Sequence, residues 1–324
     1  MKVTGLALLL AAPAWCHPGA AGSVHGDVER VPATERPPGE TRVAMRVEGD
    51  RRIIESNGLP DHPTGRFPNR GNPHRILGQR HRFTVPARPE PATVATKLDR
   101  QPFGVALNGV LFDPNTAEFH GNRRDSGWNY EALGGKLRLG LDENHAHVQP
   151  NGAYHYHGLP TALFGRLSGG AKRMTLLGWA ADGFPIYGLY GYKDPGDPAS
   201  GVVELRSSFR LRSGRRPEGD GQPGGAYDGS FTSDYEYAAG LGDLDECNGR
   251  HGVTPEFPQG TYHYVLTADY PFVPRAFRGT PDPSFARRGP RGDASPAGRA
   301  HPPGTPAPQR RPPPPLPPDP PPGP

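Results

Sequence analysis

The chain has little cysteine, and this limits what can stabilise it. Its 324 residues contain two cysteines, Cys16 and Cys247, and Cys16 lies in an N-terminal segment that we expect to be removed. A mature chain with a single cysteine forms no internal disulfide. A hydrophobic core, with or without a bound metal ion, must therefore hold the folded domain together.

The body of the chain also has no excess of positive charge. Six arginines and two aspartates in residues 286–324 account for the whole formal charge of +4. The remainder is close to neutral and lacks the basic surface on which nucleic-acid binding depends. We therefore expect no nucleic-acid partner.

Long apolar runs are missing after the N-terminus, so we expect no integral membrane segment. Residues 1–21 combine an early lysine, a short apolar run and small residues, a pattern typical of a cleavable signal peptide. Trp15 directly before Cys16 is unsuitable for a lipoprotein signal. The sequence thus predicts a secreted or periplasmic protein.

The two flanks of the chain are rich in proline. Residues 22–40 are polar and predict a linker. In residues 286–324, 16 of 39 residues are proline, which predicts a disordered, extended tail without packed structure. Residues 41–285 remain as the folded domain.

This domain has the pattern of a β-rich fold. Short alternating runs such as "HRFTVP" and "SSFRLR" are separated by frequent glycine and proline, and no long helical periodicity is present. The segment around Gly49-Asp50 alternates as a strand pair does. We predict a single, mainly β domain with long ordered loops.

An internal repeat divides the domain into two related halves, at about 104–160 and 178–267. "GVALNGVLFDP" resembles "GWAADGFPIYG", and each is followed by L-D-E, a proline and G-x-Y-H-Y in the same order. The Asn108-Gly109 and Asp182-Gly183 pairs predict hairpin turns. The repeat predicts two structurally similar units packed in one domain.

The stretch "HAHVQPNGAYHYHGLP" contains four histidines around a Pro-Asn-Gly turn. Side chains alternate between the faces of a strand, so His155 and His157 share one face while Tyr154 and Tyr156 share the other. The turn folds the first His-x-His pair towards the second. Imidazoles arranged in this way are typical ligands of transition metals. The predicted ligands are His145, His147, His155 and His157, with Asp142 as a ligand or as support for one.

Weaker candidates occur elsewhere. The second half offers Asp245, Cys247, His251 and His263, but Val265 replaces the second histidine of the strand. The proline-rich loop at 57–75 is typical of a rigid loop, and its His62 or His74 is an alternative further ligand. A structural hydrogen-bond network or a proton-transfer role remains an alternative for the whole histidine cluster.

Several motifs together resemble the family of YHYH domain proteins, over about Val43 to Arg278. They are "NGLPDHPTG", "PFGVALNGVLFDP", "AHVQPNGAYHYHGLP", "GWAADGFPIYG" and "DECNGRHG" with "GTYHYVLT". The resemblance implies an exported, largely bacterial protein, and it assigns no catalytic residue.

Three functions are consistent with these patterns. The first is binding of copper or zinc by the histidine hairpin, since imidazoles suit either metal. The second is an extracellular metal-dependent hydrolase, which requires an open coordination position. The third is a non-enzymatic envelope or matrix binding module. The sequence lacks the G-x-S-x-G, P-loop and H-E-x-x-H motifs, so no standard catalytic template selects among them.

Overall fold

The structure, a computed structural model, describes residues 29–287, and strands dominate this part of the chain. The described residues belong to one compact unit. The predicted mainly β fold is confirmed. The predicted signal peptide, the start of the predicted linker and nearly all of the predicted tail lie outside the described residues.

The strands are short, and most have two to six residues. They are β1 (Val43–Glu48), β2 (Arg51–Ser56), β3 (His81–Pro86), β4 (Thr96–Lys97), β5 (Gly104–Ala106), β6 (Leu111–Phe112), β7 (Ala146–Val148), β8 (Tyr154–Tyr156), β9 (Leu176–Ala180), β10 (Pro185–Tyr187), β11 (Tyr190–Tyr192), β12 (Val202–Glu204), β13 (Phe209–Leu211), β14 (Tyr235–Tyr237), β15 (Gly249–Gly252), β16 (Thr261–Val265) and β17 (Ala276–Phe277).

Helical structure is limited to one α-helix and short 3-10 turns within the described range. The helix is α1 (Thr161–Ser168), and the turns are His120–Asn122, Arg124–Ser126, Thr232–Asp234 and Pro283–Phe285. None of these helices is long and apolar enough to cross a membrane. The sequence patterns do not predict α1, an eight-residue helix in which Leu163 and Ser168 are buried and Phe164 and Leu167 pack against the core.

The largest sheet has eight strands in the order β15-β16-β10-β9-β5-β6-β8-β7. Each half consists of two antiparallel hairpins that are joined by one parallel pair of strands. In the first half, β6 of the hairpin β5-β6 pairs with β8 of the hairpin β7-β8. In the second half, β10 of the hairpin β9-β10 pairs with β16 of the hairpin β15-β16. Strands β5 and β9 join the halves in antiparallel fashion at the centre. Each half therefore contributes four strands with the same order and direction, which confirms the repeat.

Matching turns close the first hairpin of each half. Gly109 and Gly183 have φ values of 82° and 92°, a left-handed conformation that glycine adopts without a steric penalty. The amide of each glycine donates to a carbonyl oxygen three residues earlier, at 2.8 and 2.9 Å. The hairpin turns predicted from Asn-Gly and Asp-Gly are thus present at equivalent places.

A smaller sheet, β1-β2-β3, lies outside the repeat. Strands β1 and β2 form the hairpin predicted around Gly49-Asp50, and β3 is the predicted "HRFTVP" strand. Phe83 and Val85 point inward from β3, and the Phe83 ring stacks on Phe285 at 4.2 Å between centroids. The end of the described chain is therefore held against this sheet.

The described part of the predicted linker is paired with the domain. Val31 bridges to Asp142 in parallel, and Glu35 bridges to Thr64 in antiparallel fashion. The amide of Val31 donates to the Leu141 carbonyl at 2.9 Å. Val31 therefore lies beside the segment that leads into β7, and Glu35 lies beside Thr64.

Candidate metal centre

The candidate site lies on the hairpin of β7 and β8, at one edge of the large sheet. Gly152 turns the chain with a φ of 85°, and its amide donates to the Gln149 carbonyl at 2.8 Å. The pairing places His147 directly opposite His155. Directly paired residues project to the same face, so these two imidazoles stand side by side.

The two faces of β8 differ in their chemistry, as the alternation predicts. On one face, the Tyr154 hydroxyl donates to Asp142 Oδ2 at 2.7 Å. The Tyr156 hydroxyl accepts from Asn108 Nδ2 at 2.9 Å and contacts His62 Nε2 at 2.6 Å. These tyrosines are buried and fully bonded, so this face is a packed polar network.

On the other face, three imidazoles converge. The ring centroids of His147, His155 and His157 are 4.7 to 4.8 Å apart in all three pairs. One ligand atom from each lies within 4.8 Å of the others, and the Nε2 atoms of His147 and His157 are 3.1 Å apart. We call this set the histidine triad.

Backbone carbonyl oxygens fix the tautomer of each ring. Nδ1 of His147 faces the Leu139 carbonyl at 2.9 Å, while those of His155 and His157 face the Ala153 and Pro114 carbonyls at 3.2 and 3.3 Å. A carbonyl oxygen only accepts, which favours a proton on each Nδ1. For His147 the Leu139 carbonyl at 2.9 Å is closer than the amide nitrogen of Asn72, which lies 3.3 Å from the same Nδ1. Each Nε2 therefore keeps a free lone pair.

Burial keeps the triad neutral. It lowers the pKa of His155 to about 4 and, together with the neighbouring His155 charge, that of His147 to about 3. Burial and the two neighbouring rings also hold the pKa of His157 well below its usual value. Neutral imidazole is the form that ligates metals.

Buried charges flank the triad. Asp113, directly after β6, is buried, and its Oδ2 accepts from Gln149 Nε2 at 2.9 Å and from Arg287. Its charge acts on His147, although burial raises the pKa of Asp113. Arg275 donates to the Pro114 carbonyl at 3.0 Å, the same oxygen that His157 contacts.

Two of the predicted first-half residues lie outside the triad. His145 has a φ of 55° and precedes β7, and its Nδ1 faces the Leu159 carbonyl at 2.7 Å. Asp142 is on the tyrosine face, where its Oδ2 also accepts from the Gly65 amide at 2.9 Å. The structure therefore groups three of the five predicted residues.

The weaker second-half set does not form a cluster of ligands within residues 29–287. Asp245 accepts from the Tyr262 hydroxyl at 2.9 Å, and burial raises the pKa of Cys247 to about 12. His251 is exposed and pairs with Tyr262, whereas His263 is buried and pairs with Arg250.

The alternative ligands His62 and His74 are also outside the triad. His62 belongs to the tyrosine network, with its Nδ1 against the Pro63 carbonyl at 2.8 Å. His74 is near enough for its charge to act on His147. Asp113 was not predicted as a site residue, although the motif "FDP" that contains it belongs to the repeat.

The fold and the site together define a class: a mainly β protein with an internal repeat and a cluster of three histidines on one hairpin. The chain belongs to the family described as YHYH protein, which it matches over residues 82–279, more than half of its length. The resemblance noted from the sequence motifs is thereby confirmed. No curated protein and no solved structure matches the chain.

Proposed function

We propose that this protein binds one transition-metal ion, copper or zinc, through the Nε2 atoms of His147, His155 and His157. The supporting observation is the shared tautomer of the three rings. Every Nδ1 lies against a backbone carbonyl, which leaves the Nε2 lone pairs free, and one ligand atom of each ring lies within 4.8 Å of the other two. Metal-ligating histidines typically have this outer hydrogen bond, which orients the ring and fixes the tautomer.

A bound cation also accounts for a close contact within the triad. The Nε2 atoms of His147 and His157 are 3.1 Å apart, and neither carries a proton when both protons are on Nδ1. Two facing lone pairs repel each other, because neither nitrogen can donate to the other. A cation that accepts both lone pairs converts this repulsion into two coordinate bonds.

The donor chemistry of the triad favours a transition metal, while the flanking charges are balanced, because Asp113 is paired with Arg287 and Glu131 with Arg275. Asp113 and Glu131 are fully buried, and Glu131 is paired with Arg275 at 2.6 Å. The negative charge of Asp113 acts on His147, one of the proposed ligands. Three neutral nitrogen donors beside a buried carboxylate suit a divalent transition metal better than Mg²⁺ or Ca²⁺, which prefer oxygen ligands.

Elemental analysis of the purified protein tests this proposal. We expect close to one equivalent of zinc or copper per chain after expression with either metal. The double variant His155→Ala/His157→Ala should contain almost none. A spectrum typical of Cu(II) in electron paramagnetic resonance would separate copper from the spectroscopically silent zinc.

Two matched controls distinguish ligation from a general effect of removing histidine. His145→Ala removes a ring from the same hairpin, and His263→Ala removes the equivalent strand histidine of the second half. Both variants should keep their metal. A natively folded wild-type chain that takes up no metal, or equal loss of metal in the controls, would contradict the proposal.

We also propose that the protein is exported and that a signal segment within residues 1–21 is removed. The N-terminal pattern of the sequence supports this. N-terminal sequencing of the mature chain from the culture medium or periplasm should begin shortly after residue 14 or residue 21. A mature chain that retains Met1 and stays in the cytoplasm would overturn it.

A further inference from the structure

We infer that the metal bound by the histidine triad keeps an exchangeable fourth position for water, and that Asp113 Oδ1 accepts a hydrogen bond from this water. The same position would take a small anion in place of water. This inference rests on the proposed metal site and adds to it a ligand position and a positioning residue.

The strand register places Asp113 on the face of the triad. Strand β6 runs parallel to β8, with Leu111 beside His155 and Phe112 beside Tyr156. Asp113 follows β6 and His157 follows β8 at equivalent positions. The Asp113 amide donates to the Tyr156 carbonyl at 2.9 Å, which continues the pairing. Because alternate residues share a face, Asp113 projects to the same side as His155 and His157.

The carboxylate has one occupied and one free oxygen. Oδ2 accepts from Gln149 Nε2 at 2.9 Å and from Arg287. Oδ1 is buried and has no hydrogen-bond partner in the described part of the chain. A buried acceptor without a partner destabilises the folded state, and a charged acceptor does so more strongly. A donor held at the triad would remove this penalty.

Asp113 is not itself a member of the ligand cluster. Among residues 29–287, the group of three or more ligand atoms within 4.8 Å of one another contains only the three histidines. Three protein ligands and a solvent molecule in the fourth position are typical of reactive zinc sites, whereas structural zinc sites have four protein ligands. Water on the metal is a strong donor, because the cation polarises its O–H bonds.

The second half of the sheet supports the link between Asp113 and the triad. The register places Tyr187 of β10 at the position of Asp113. Its hydroxyl donates to Glu256 Oε2 at 2.6 Å and accepts from Thr254 Oγ1 at 2.8 Å. Where the triad is missing, the carboxylate is missing too.

Cobalt substitution provides the test, because Co(II) reports its ligands through its visible spectrum. With the wild-type full chain loaded with Co(II), added sodium azide should change the spectrum in a saturable way. A pH titration should show one transition, which is the loss of a proton from bound water to leave bound hydroxide. The charged and titratable groups that act on the triad are Asp113, His74, Arg275 and Arg287, and Arg275 is in turn paired with Glu131.

Two variants examine the role of Asp113, with opposite expected shifts. Asp113→Asn removes a negative charge that disfavours hydroxide, so the midpoint should fall by about one pH unit. Arg287→Ala removes a half-exposed positive charge and leaves the carboxylate in place, so the midpoint should rise. Asp182→Asn is the matched control, since the first half has Asn108 at that position, and its midpoint should not move.

The outcomes separate this inference from the proposed metal site. Failure to bind Co(II) would overturn both. Stoichiometric Co(II) with a spectrum indifferent to azide and pH would leave the metal site intact and overturn the open position. An azide response with unchanged midpoints in both Asp113→Asn and Arg287→Ala would overturn the role of Asp113. If Asp113→Asn does not fold, the direction of the Arg287→Ala shift decides.

Discussion

The two halves of the large sheet have the same scaffold and different chemistry. Their strands have the same order and directions, and each half joins its Asp-Tyr pair by the same hydrogen bond, Tyr154 to Asp142 and Tyr262 to Asp245. The face with the histidines differs. On that face, each position of the first half has an equivalent position in the second. The equivalent residues are His147 and Arg250, His155 and His263, His157 and Val265, and Asp113 and Tyr187.

This difference separates architecture from function within one molecule. The tyrosine face occurs in both halves, so it belongs to the construction of the hairpin. The strand histidine is also common to both, since His155 and His263 each direct Nδ1 to the carbonyl two residues earlier, at 3.2 and 3.3 Å. What the first half adds is His147 and His157, the two rings that complete the triad.

The second half places a guanidinium where the first has its cross-strand imidazole. Arg250 pairs with His263 and donates to the Tyr192 carbonyl at 2.6 Å. Arg250 Nε and His263 Nε2 are both buried and have no hydrogen-bond partner among the described residues. The Tyr187 ring packs edge-on against His263 at 5.4 Å. This face therefore contains a fixed positive charge and a closed aromatic packing.

The largest expected effect is the loss of metal affinity when His157 is replaced by valine, the residue at the equivalent position of the second half. In His157→Val the triad loses one of three ligands, and we expect metal affinity to fall more than about 100-fold, since even outer partners of metal ligands contribute 10–100-fold. At a metal concentration 1,000 times the wild-type Kd, the metal stabilises the folded state by about 4 kcal/mol. Chemical denaturation with and without metal should show that this difference is mostly lost.

The matched control is Val265→Ala, which alters the equivalent position without touching the triad. It should keep the full metal-dependent stabilisation. Retention of wild-type affinity in His157→Val would show that His157 is not a ligand.

Low pH should destabilise the folded protein through His263, the buried histidine of the second half. Burial lowers the pKa of His263 to about 4, whereas an unfolded histidine titrates near 6.5. Between these values the unfolded chain binds a proton that the folded chain does not, so the stability of the wild type falls as the pH falls. His263→Asn, which can keep the bond to the Thr261 carbonyl, lacks this contribution.

The measurement is the unfolding free energy of the metal-free proteins at pH 7.5 and pH 4.5. The stability of the wild type relative to His263→Asn should decrease by roughly 2–3 kcal/mol between the two pH values. A constant difference would mean that His263 is accessible to protons in the folded state.

Converting the second half should create a second, weaker metal site. The double variant Arg250→His/Val265→His supplies the two rings that this half lacks, opposite and beyond His263. We expect titration calorimetry to show two bound metal ions instead of one. At 100 times its Kd the added site contributes about 2.7 kcal/mol of stability. The single variant Arg250→His is the control and should bind one ion. If the double variant also binds only one ion, Tyr187 blocks the histidine face of the second half.

The comparison also shows how far the sequence predicts this molecule. The hairpins follow from local signals, because Asn-Gly, Asp-Gly and Pro-Asn-Gly fix tight turns and alternation fixes the faces of the strands. The approach of His147 to His155 and His157 follows from those signals alone. The helix α1 does not, since the apolar pattern of Leu163, Phe164 and Leu167 is too short to distinguish a helix from a strand.

The remaining site residues depend on contacts that local patterns do not contain. His145 precedes the strand and has left-handed backbone, so alternation does not determine its direction. Asp113 reaches the triad through the parallel pairing of β6 and β8, which are separated by some 40 residues of chain. Parallel pairing leaves no turn signal between its strands.

The smallest expected effect concerns the tyrosine bond that both halves share. In Tyr154→Phe, Asp142 loses a donor but keeps the amides of Gly65 and Asn144, each at 2.9 Å. Because Asp142 is fully buried, water cannot replace the hydroxyl, and we expect a loss of about 2 kcal/mol in unfolding free energy. Asp245 is only half-buried, so Tyr262→Phe should lose about 1 kcal/mol or less.

Metal content should remain unchanged in both variants. Loss of metal in Tyr154→Phe would indicate that the tyrosine face contributes to ligation, and an equal loss of stability in the two would show that burial does not distinguish these bonds.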